Sequence, residues 1–385
     1  MPAPLTRHWL ARLVAFDTTS RNPNLALVAD VEAFLAANGV AFVRVEDQAQ
    51  GKASLIATLG PRQEAGIILS GHTDTVPVDG QDWTSDPFVL AARDGRLYGR
   101  GACDMKGFLA VCLGLLPEMA ARPLKKPIHL AFSYDEELGC LGVRPLIARF
   151  LAEGLKAEGC IVGEPTSMAV VTAHKAKRSL RTIVRGRSGH SSRAPELANA
   201  VEAAALIAAA VHRLGARLAK DGPRDGLYDV PFSTAHVGIL KGGTALNIVP
   251  DHAVLEWEVR ALPEEDVDAY VREIEDYARA EVLPALKARA REAEIVFELK
   301  AAFPGLATDP GAPIAVLAKA WAGRNDHCKV AYGTEAGLFA EMGGIPTIVC
   351  GPGSIAQAHQ ADEYVEDRQL AACEAFVRKV IAHCA

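Results

Sequence analysis

At five places in this chain an acid or a histidine follows closely on a short apolar run. In Gly71-His72-Thr73-Asp74-Thr75-Val76-Pro77, His72 can offer a ring nitrogen to a metal, and Asp74 can accept the other ring N–H and fix the tautomer. Taken alone, His-x-Asp fits a structural histidine better. Gly99-Arg100-Gly101-Ala102-Cys103-Asp104-Met105-Lys106-Gly107 crowds glycines around one aspartate. Its two oxygens could bridge two cations; as an isolated motif, Asp104 could equally be a helix N-cap. Asp135-Glu136-Glu137-Leu138-Gly139-Cys140 sets two glutamates side by side. Such a pair ordinarily forms a solvated loop, but neighbours point different ways, so one could bind a metal while the other stays free as general base. Gly163-Glu164-Pro165-Thr166 and Ala358-His359-Gln360-Ala361-Asp362-Glu363 each add one donor and are weak signals singly. Two histidines with three carboxylates suit zinc or a similar divalent ion better than magnesium or calcium, which prefer all-oxygen shells.

The elements that must position these donors are legible as patterns. Helical spacing covers residues 5–16 and 25–38, with Gly39 as a stop for the second. Residues 53–59, 66–70, 127–133 and 159–163 are short apolar runs that read as strands, and 107–121 reads as a helix. Buried strands alternating with helices predict an α/β domain with a largely parallel sheet, which binds ligands beyond its strands' carboxyl ends. After about residue 175 the texture changes. Strands with polar–apolar alternation at 178–185, 234–240, 252–260 and 294–300 are interleaved with helices at 197–219 and 264–289. This β-α-β-β-α-β order is that of a ferredoxin-like α+β sandwich. A helix at 313–322 and a buried strand at 345–350 then resume the α/β texture, so one domain is inserted in another: 1–176 with 301–385, and 177–300.

Composition narrows the classes. The 385 residues carry 41 basic and 47 acidic side chains, a net charge of −6, which gives no reason to expect nucleic acid or a membrane surface as partner. Eight scattered cysteines form no C-x-x-C pair and no disulfide framework, and a reducing cytoplasm is the simplest compartment. Residues 1–10 lack the apolar core of a signal peptide, and the longest apolar run, 203–211, is far short of the roughly 20 residues of a membrane span. Cys103 and Cys140 read as small packing residues, and the basic run 174–178 as a solvated domain boundary.

In this order the five motifs resemble those of the dinuclear zinc exopeptidases and deacylases, a family that includes acetylornithine deacetylases, succinyl-diaminopimelate desuccinylases, aminoacylases and carboxypeptidase G. The resemblance runs from residue 71 to 363. It implies a zinc-exopeptidase-like α/β catalytic domain with an inserted lid and dimerisation domain. It implies one zinc on His72, Asp104 and Glu164 and another on Asp104, Glu137 and His359, with cobalt as an alternative metal. Glu136 would be general base and acid, and Asp74 would orient His72. A cis peptide would follow Asp104. Ser188-Gly189-His190-Ser191-Ser192 is similar to the lid motif whose histidine stabilises the oxyanion in the partner subunit of a homodimer; without that motif, His190 reads as an exposed loop residue. Asn247, in Gly242-Gly243-Thr244-Ala245-Leu246-Asn247, would face substrate, and Arg260 would pair with its carboxylate. Tyr332-Gly333-Thr334-Glu335-Ala336-Gly337 and Cys350-Gly351-Pro352-Gly353-Ser354 look most like the acetylornithine deacetylases. Gly353 would then contact substrate. Glu335 would meet a cationic side chain such as the ornithine ammonium, or serve as a hydrogen-bond partner behind the site. The activity implied is removal of the acyl group from N2-acetyl-L-ornithine, a step of arginine biosynthesis. An N-succinyl amino acid, acetylcitrulline or a dipeptide is the alternative substrate. An inactive binding protein is the rival of a different class.

Overall fold

The computed structural model describes residues 1–385. They divide into two compact units: Met1–Ala173 with Leu306–Lys329 and Thr334–Ala385, and His174–Gly305 with Val330–Gly333. Residues 330–333, expected with the catalytic domain, go with the second unit, where Ala331 donates its N–H to Asp229 at 2.9 Å.

At the centre of the first unit, strands Ile128–Ser133, Ala65–His72, Lys156–Pro165 and Thr347–Gly351 lie side by side in that order, all parallel. They are buried along most of their length, which is why their sequences are apolar runs rather than alternations. Parallel pairing stops there. Lys52–Leu59 runs antiparallel to both Ile128–Ser133 and Ala41–Asp47, so the sheet is mixed rather than largely parallel. For the outer pair the cause is local: the link 48–51, with Gly51 at φ +65°, closes a hairpin, and a hairpin dictates antiparallel pairing of Ala41–Asp47 with Lys52–Leu59. The helix expected over 107–121 is broken into Lys106–Gly114 and Leu116–Ala120, with Pro117 opening the second piece. Helix Lys106–Gly114 is buried on every side, packed by Pro4–Val14 and Asp367–Cys384. It sits at the heart of the larger apolar core, with Phe108, Leu109 and Leu113 fully enclosed.

The second unit is a four-stranded antiparallel sheet in the order Thr234–Gly242, His252–Ala261, Ala176–Arg185, Glu294–Phe303, with connections β-α-β-β-α-β, a ferredoxin-like arrangement. Burial alternates along His252–Ala261, as for a sheet with one face on a core. Helix Ala200–Asp221 turns Ala204, Ile207, Val211, Leu214 and Leu218 into that core. Its start is fixed by Asn199, whose side chain accepts the N–H groups of Val201 and Glu202. The helical stretch expected over 264–289 is Val267–Tyr277, a π turn Ala278–Val282 and Leu283–Lys287; Pro284, lacking an N–H, breaks the regular ladder there. The basic run 174–178 does mark a boundary between the units, as its charge suggests, but it is not solvated there. His174 and Lys175 are buried, and the Lys175 ammonium donates to the Phe232 carbonyl. No helix is long and apolar enough to cross a membrane.

Candidate metal centre

The parallel strands end where the donors begin. His72 closes Ala65–His72, Glu136 and Glu137 follow Ile128–Ser133, and Glu164 stands near the end of Lys156–Pro165. Asp104 stands two residues before the first residue of the buried helix Lys106–Gly114, and its peptide bond to Met105 is cis. His359 lies on the loop beyond Thr347–Gly351 with φ +61°. Neighbouring parallel strands place their carboxyl ends side by side, so segments distant in sequence deliver donors to one spot. Glycine makes the room: a Cβ on Gly71 would stand 2.4 Å from the Met105 Cε, and one on Gly163 would stand 2.0 Å from the Phe108 ring.

Asp104 is central. Its Oδ1 is 3.2 Å from His72 Nε2 and its Oδ2 is 3.2 Å from His359 Nε2. His72 Nε2 is also 3.7 Å from Glu164 Oε1, and His359 Nε2 is 3.0 Å from Glu137 Oε1. Ligands held about 2.0–2.1 Å from a tetrahedral zinc stand about 3.3 Å from one another, so a cation shared by these atoms would need little movement of them. The charge inventory agrees. Five carboxylates, those of Asp74, Asp104, Glu136, Glu137 and Glu164, crowd around two imidazoles in a largely buried site, an excess of negative charge that cations would offset. The residues therefore fit divalent metal, with Asp104 facing both histidines.

Electrostatics follow from the crowding. Burial opposes protonation of His72, yet its contacts to Asp104 and Asp74 and the charge of Glu164 hold it well above the ordinary histidine range. Asp104 is held low in spite of burial because His359 and His72 face it. Burial, with the nearby Asp104 charge, raises Glu164 and Glu137. Contacts to Asp104 and Glu137 push His359 up to about 10. Burial, opposed by His72 and reinforced by Glu137, Asp74 and Asp104, takes Glu136 up to about 8. Bound cations would pull all of these down.

Asp74 orients this array through its whole residue. His72 Nδ1 is 3.0 Å from the Asp74 carbonyl and 3.4 Å from its Oδ1. Donation through Nδ1–H leaves the Nε2 lone pair free for a metal. The Asp74 carboxylate accepts the N–H groups of Glu136 at 3.1 Å and Glu137 at 3.3 Å, and the Ser20 hydroxyl at 2.7 Å. The Cys140 thiol lies 3.4 Å from Glu136 Oε1.

Two substrate expectations are corrected. Glu335 has no exposed surface, and its two oxygens accept the hydroxyls of Ser70 at 2.6 Å and Ser133 at 2.7 Å. It ties the ends of two central strands together and has no face for a substrate's cation. Gly353 is buried against Cys103, donates its N–H to Gln369 and gives its carbonyl to Ser167, so it offers substrate neither backbone group. In the second unit, His190 pairs with Ile248 on a two-residue ladder. Its Nδ1 accepts the Ser192 N–H at 3.2 Å, which puts the ring proton on Nε2. Asn247 is exposed and accepts the Ser191 N–H through its carbonyl. Arg260 donates through Nε to Glu258 at 2.8 Å and lines a cavity with Lys175, Asp229 and Thr234.

Sequence reasoning passed over Ser20, Lys52, Gln81 and the fully buried pair Arg100–Glu363. For Arg100 the signal was a charged residue set between two glycines; Glu363 closes a polar motif and carried none.

Residues 68–383 match the model of peptidase family M20/M25/M40. The chain is 35% identical to an acetylornithine deacetylase of Myxococcus xanthus over 99% of its own length and 97% of that protein. It is 34% identical to an acetylornithine deacetylase of Shigella sonnei, over 87% and 84% respectively. Among solved structures, it superposes on an M20 family metallo-carboxypeptidase of Sulfolobus solfataricus with TM-score 0.78 and 17% identity, over 98% of this chain and 99% of that one. A tripeptidase of Staphylococcus aureus gives TM-score 0.77 at 20% identity, over 99% and 98%.

Proposed function

Since this chain belongs to peptidase family M20/M25/M40 and is a metal-dependent hydrolase, we propose that it removes the acyl group from an N-acyl amino acid, N2-acetyl-L-ornithine before others. The observation that carries the two-ion reading is Asp104, whose two oxygens face different histidines at the same 3.2 Å. In this reading His72, Asp104 and Glu164 hold one divalent ion, and Asp104, Glu137 and His359 hold the other, zinc or cobalt. When bound, such ions lower the pKa of water and polarise the acyl carbonyl. Glu136 takes the proton of the attacking water and hands it to the leaving amine. His190 donates from Nε2 to the tetrahedral oxyanion, and the Nδ1 contact to Ser192 supports that tautomer. Arg260 meets the substrate carboxylate and Asn247 its acyl side. The products are acetate and ornithine.

We place His190 in the active site of a second copy. The edge strand Thr234–Gly242 and the loop after it expose Ile239, Leu240, Leu246 and Ile248, an apolar rim that supports a homodimer through this unit. The eight cysteines are free, which supports a reducing cytoplasm. The test is a panel of N-acetylornithine, acetylcitrulline, succinyl-diaminopimelate and dipeptides, assayed after chelation and with zinc or cobalt restored. Turnover of N-acetylornithine that needs added metal is the expected result; preference for another member of the panel would reassign the substrate.

A further inference from the structure

A closed ring of hydrogen bonds joins the loop of Asp104 to the loop of His359. Glu363 accepts the N–H groups of Gly101 at 3.1 Å, Cys103 at 2.8 Å and Asp104 at 3.0 Å. Its other contact is the Arg100 guanidinium at 2.6 Å, with both side chains buried. Arg100 donates onward to Gln81 Oε1 at 2.5 Å, over the face of Trp83. Gln81 in turn donates Nε2 to the carbonyl of His359 at 2.9 Å. Thr84 adds a tether, giving N–H and hydroxyl to Asp362 at 3.0 Å. The His359 side chain is itself 51% exposed, so packing alone does not fix it.

We propose that Glu363, Arg100 and Gln81 are positioning residues that set the affinity of one of the two cation positions, the one bounded by Asp104, Glu137 and His359. The ring touches the backbone on both sides of that position. It makes no contact with Glu164, so the position bounded by His72, Asp104 and Glu164 depends on it only through Asp104. This rests on the two-ion reading above. Partners behind metal ligands typically change metal affinity about 10–100-fold when removed.

The experiment is zinc titration of chelated protein against a competing chromophoric chelator, with the melting temperature of the metal-free protein measured alongside. Gln81 is half-buried, so Gln81→Ala tests the ring with little disturbance of the core. Glu363→Gln preserves shape and removes the charge opposite Arg100. Gln81→Ala, which touches only the His359 side, should keep one ion at wild-type affinity and bind the other about 10–100-fold more weakly, and Glu363→Gln, which also loosens the shared Asp104, should weaken that same ion more than the other. A merely structural role would lower the melting temperature and leave both affinities unchanged. Two ions at wild-type affinity in both variants would overturn this inference alone; a wild-type chain that holds fewer than two ions would overturn the two-ion reading and this inference with it.

Discussion

Glu136 and Glu137 are adjacent in sequence but differently committed, because Glu137 has a histidine 3.0 Å away while Glu136 meets the Cys140 thiol at 3.4 Å. A carboxylate without a fixed cationic partner can exchange a proton. Glu136→Ala should therefore retain the wild-type metal content in metal analysis while turnover falls about 10²–10⁴-fold; wild-type turnover would remove the base assignment. Glu335 supplies a second test at this scale. If it met the substrate's ammonium, Glu335→Gln would penalise N-acetylornithine relative to an N-acetyl amino acid with a neutral side chain. Buried between Ser70 and Ser133, it should instead change kcat/KM for both by the same factor. The ratio of the two, measured in one preparation, decides. Both roles for Glu335 stay open from sequence alone, since Thr-Glu-Ala carries no mark of which serines face it. The five proposed donors were legible as an ordered set rather than singly, since each motif alone has an ordinary structural reading and only their order from residue 71 to 363 points to a metal.

Elements act on the site through the strand ends. The turn bearing Asp135, Glu136 and Glu137 is anchored from below: Lys52 Nζ contacts both Asp135 oxygens at 2.5 and 2.7 Å and the Ser20 carbonyl at 2.5 Å. Ser20 also carries the hydroxyl that Asp74 accepts, so the same residue steadies the histidine side and the acid side of the site. Asp135 is fully buried, and a buried ion pair that loses one member leaves a charge uncompensated. Lys52→Met should cost about 3–5 kcal/mol in urea unfolding, and Lys52→Met with Asp135→Leu should recover much of that stability without recovering turnover. A double variant no more stable than the single one would argue against the pair as the anchor. None of this was readable beforehand. Lys52 stands just before what reads as an apolar strand, and its partner lies 83 residues away. The antiparallel flank escaped for a related reason: periodicity identifies a strand but not the direction of its neighbour, and Ala41–Asp47 is a half-exposed edge with little apolar signal.

Over the whole molecule, each unit encloses a neutral histidine, and acid should act on both. His129 lies in the first unit, 3.0 Å from the Thr58 hydroxyl and 3.2 Å from the Lys156 carbonyl. His174 lies in the second, 3.1 Å from the Lys175 carbonyl. Burial lowers both from 6.5 to about 4. The unfolded chain, with the higher value, takes up these protons first, so stability is complete above pH 6.5 and declines as pH falls toward 4. The displacement corresponds to about 3 kcal/mol for each histidine once pH is below both values, and about 2 kcal/mol at pH 5. Hydrogen exchange reads the two units separately. In chelated protein, amides of strand Ile128–Ser133 should lose protection between pH 7 and pH 5, after correction for the intrinsic rate. In His129→Gln that loss should shrink by about 2 kcal/mol while strand Ala176–Arg185 keeps its own pH dependence. Equal pH slopes for Ile128–Ser133 in wild type and variant would mean that His129 is not held neutral, and the acid response of the first unit would then belong to its carboxylates.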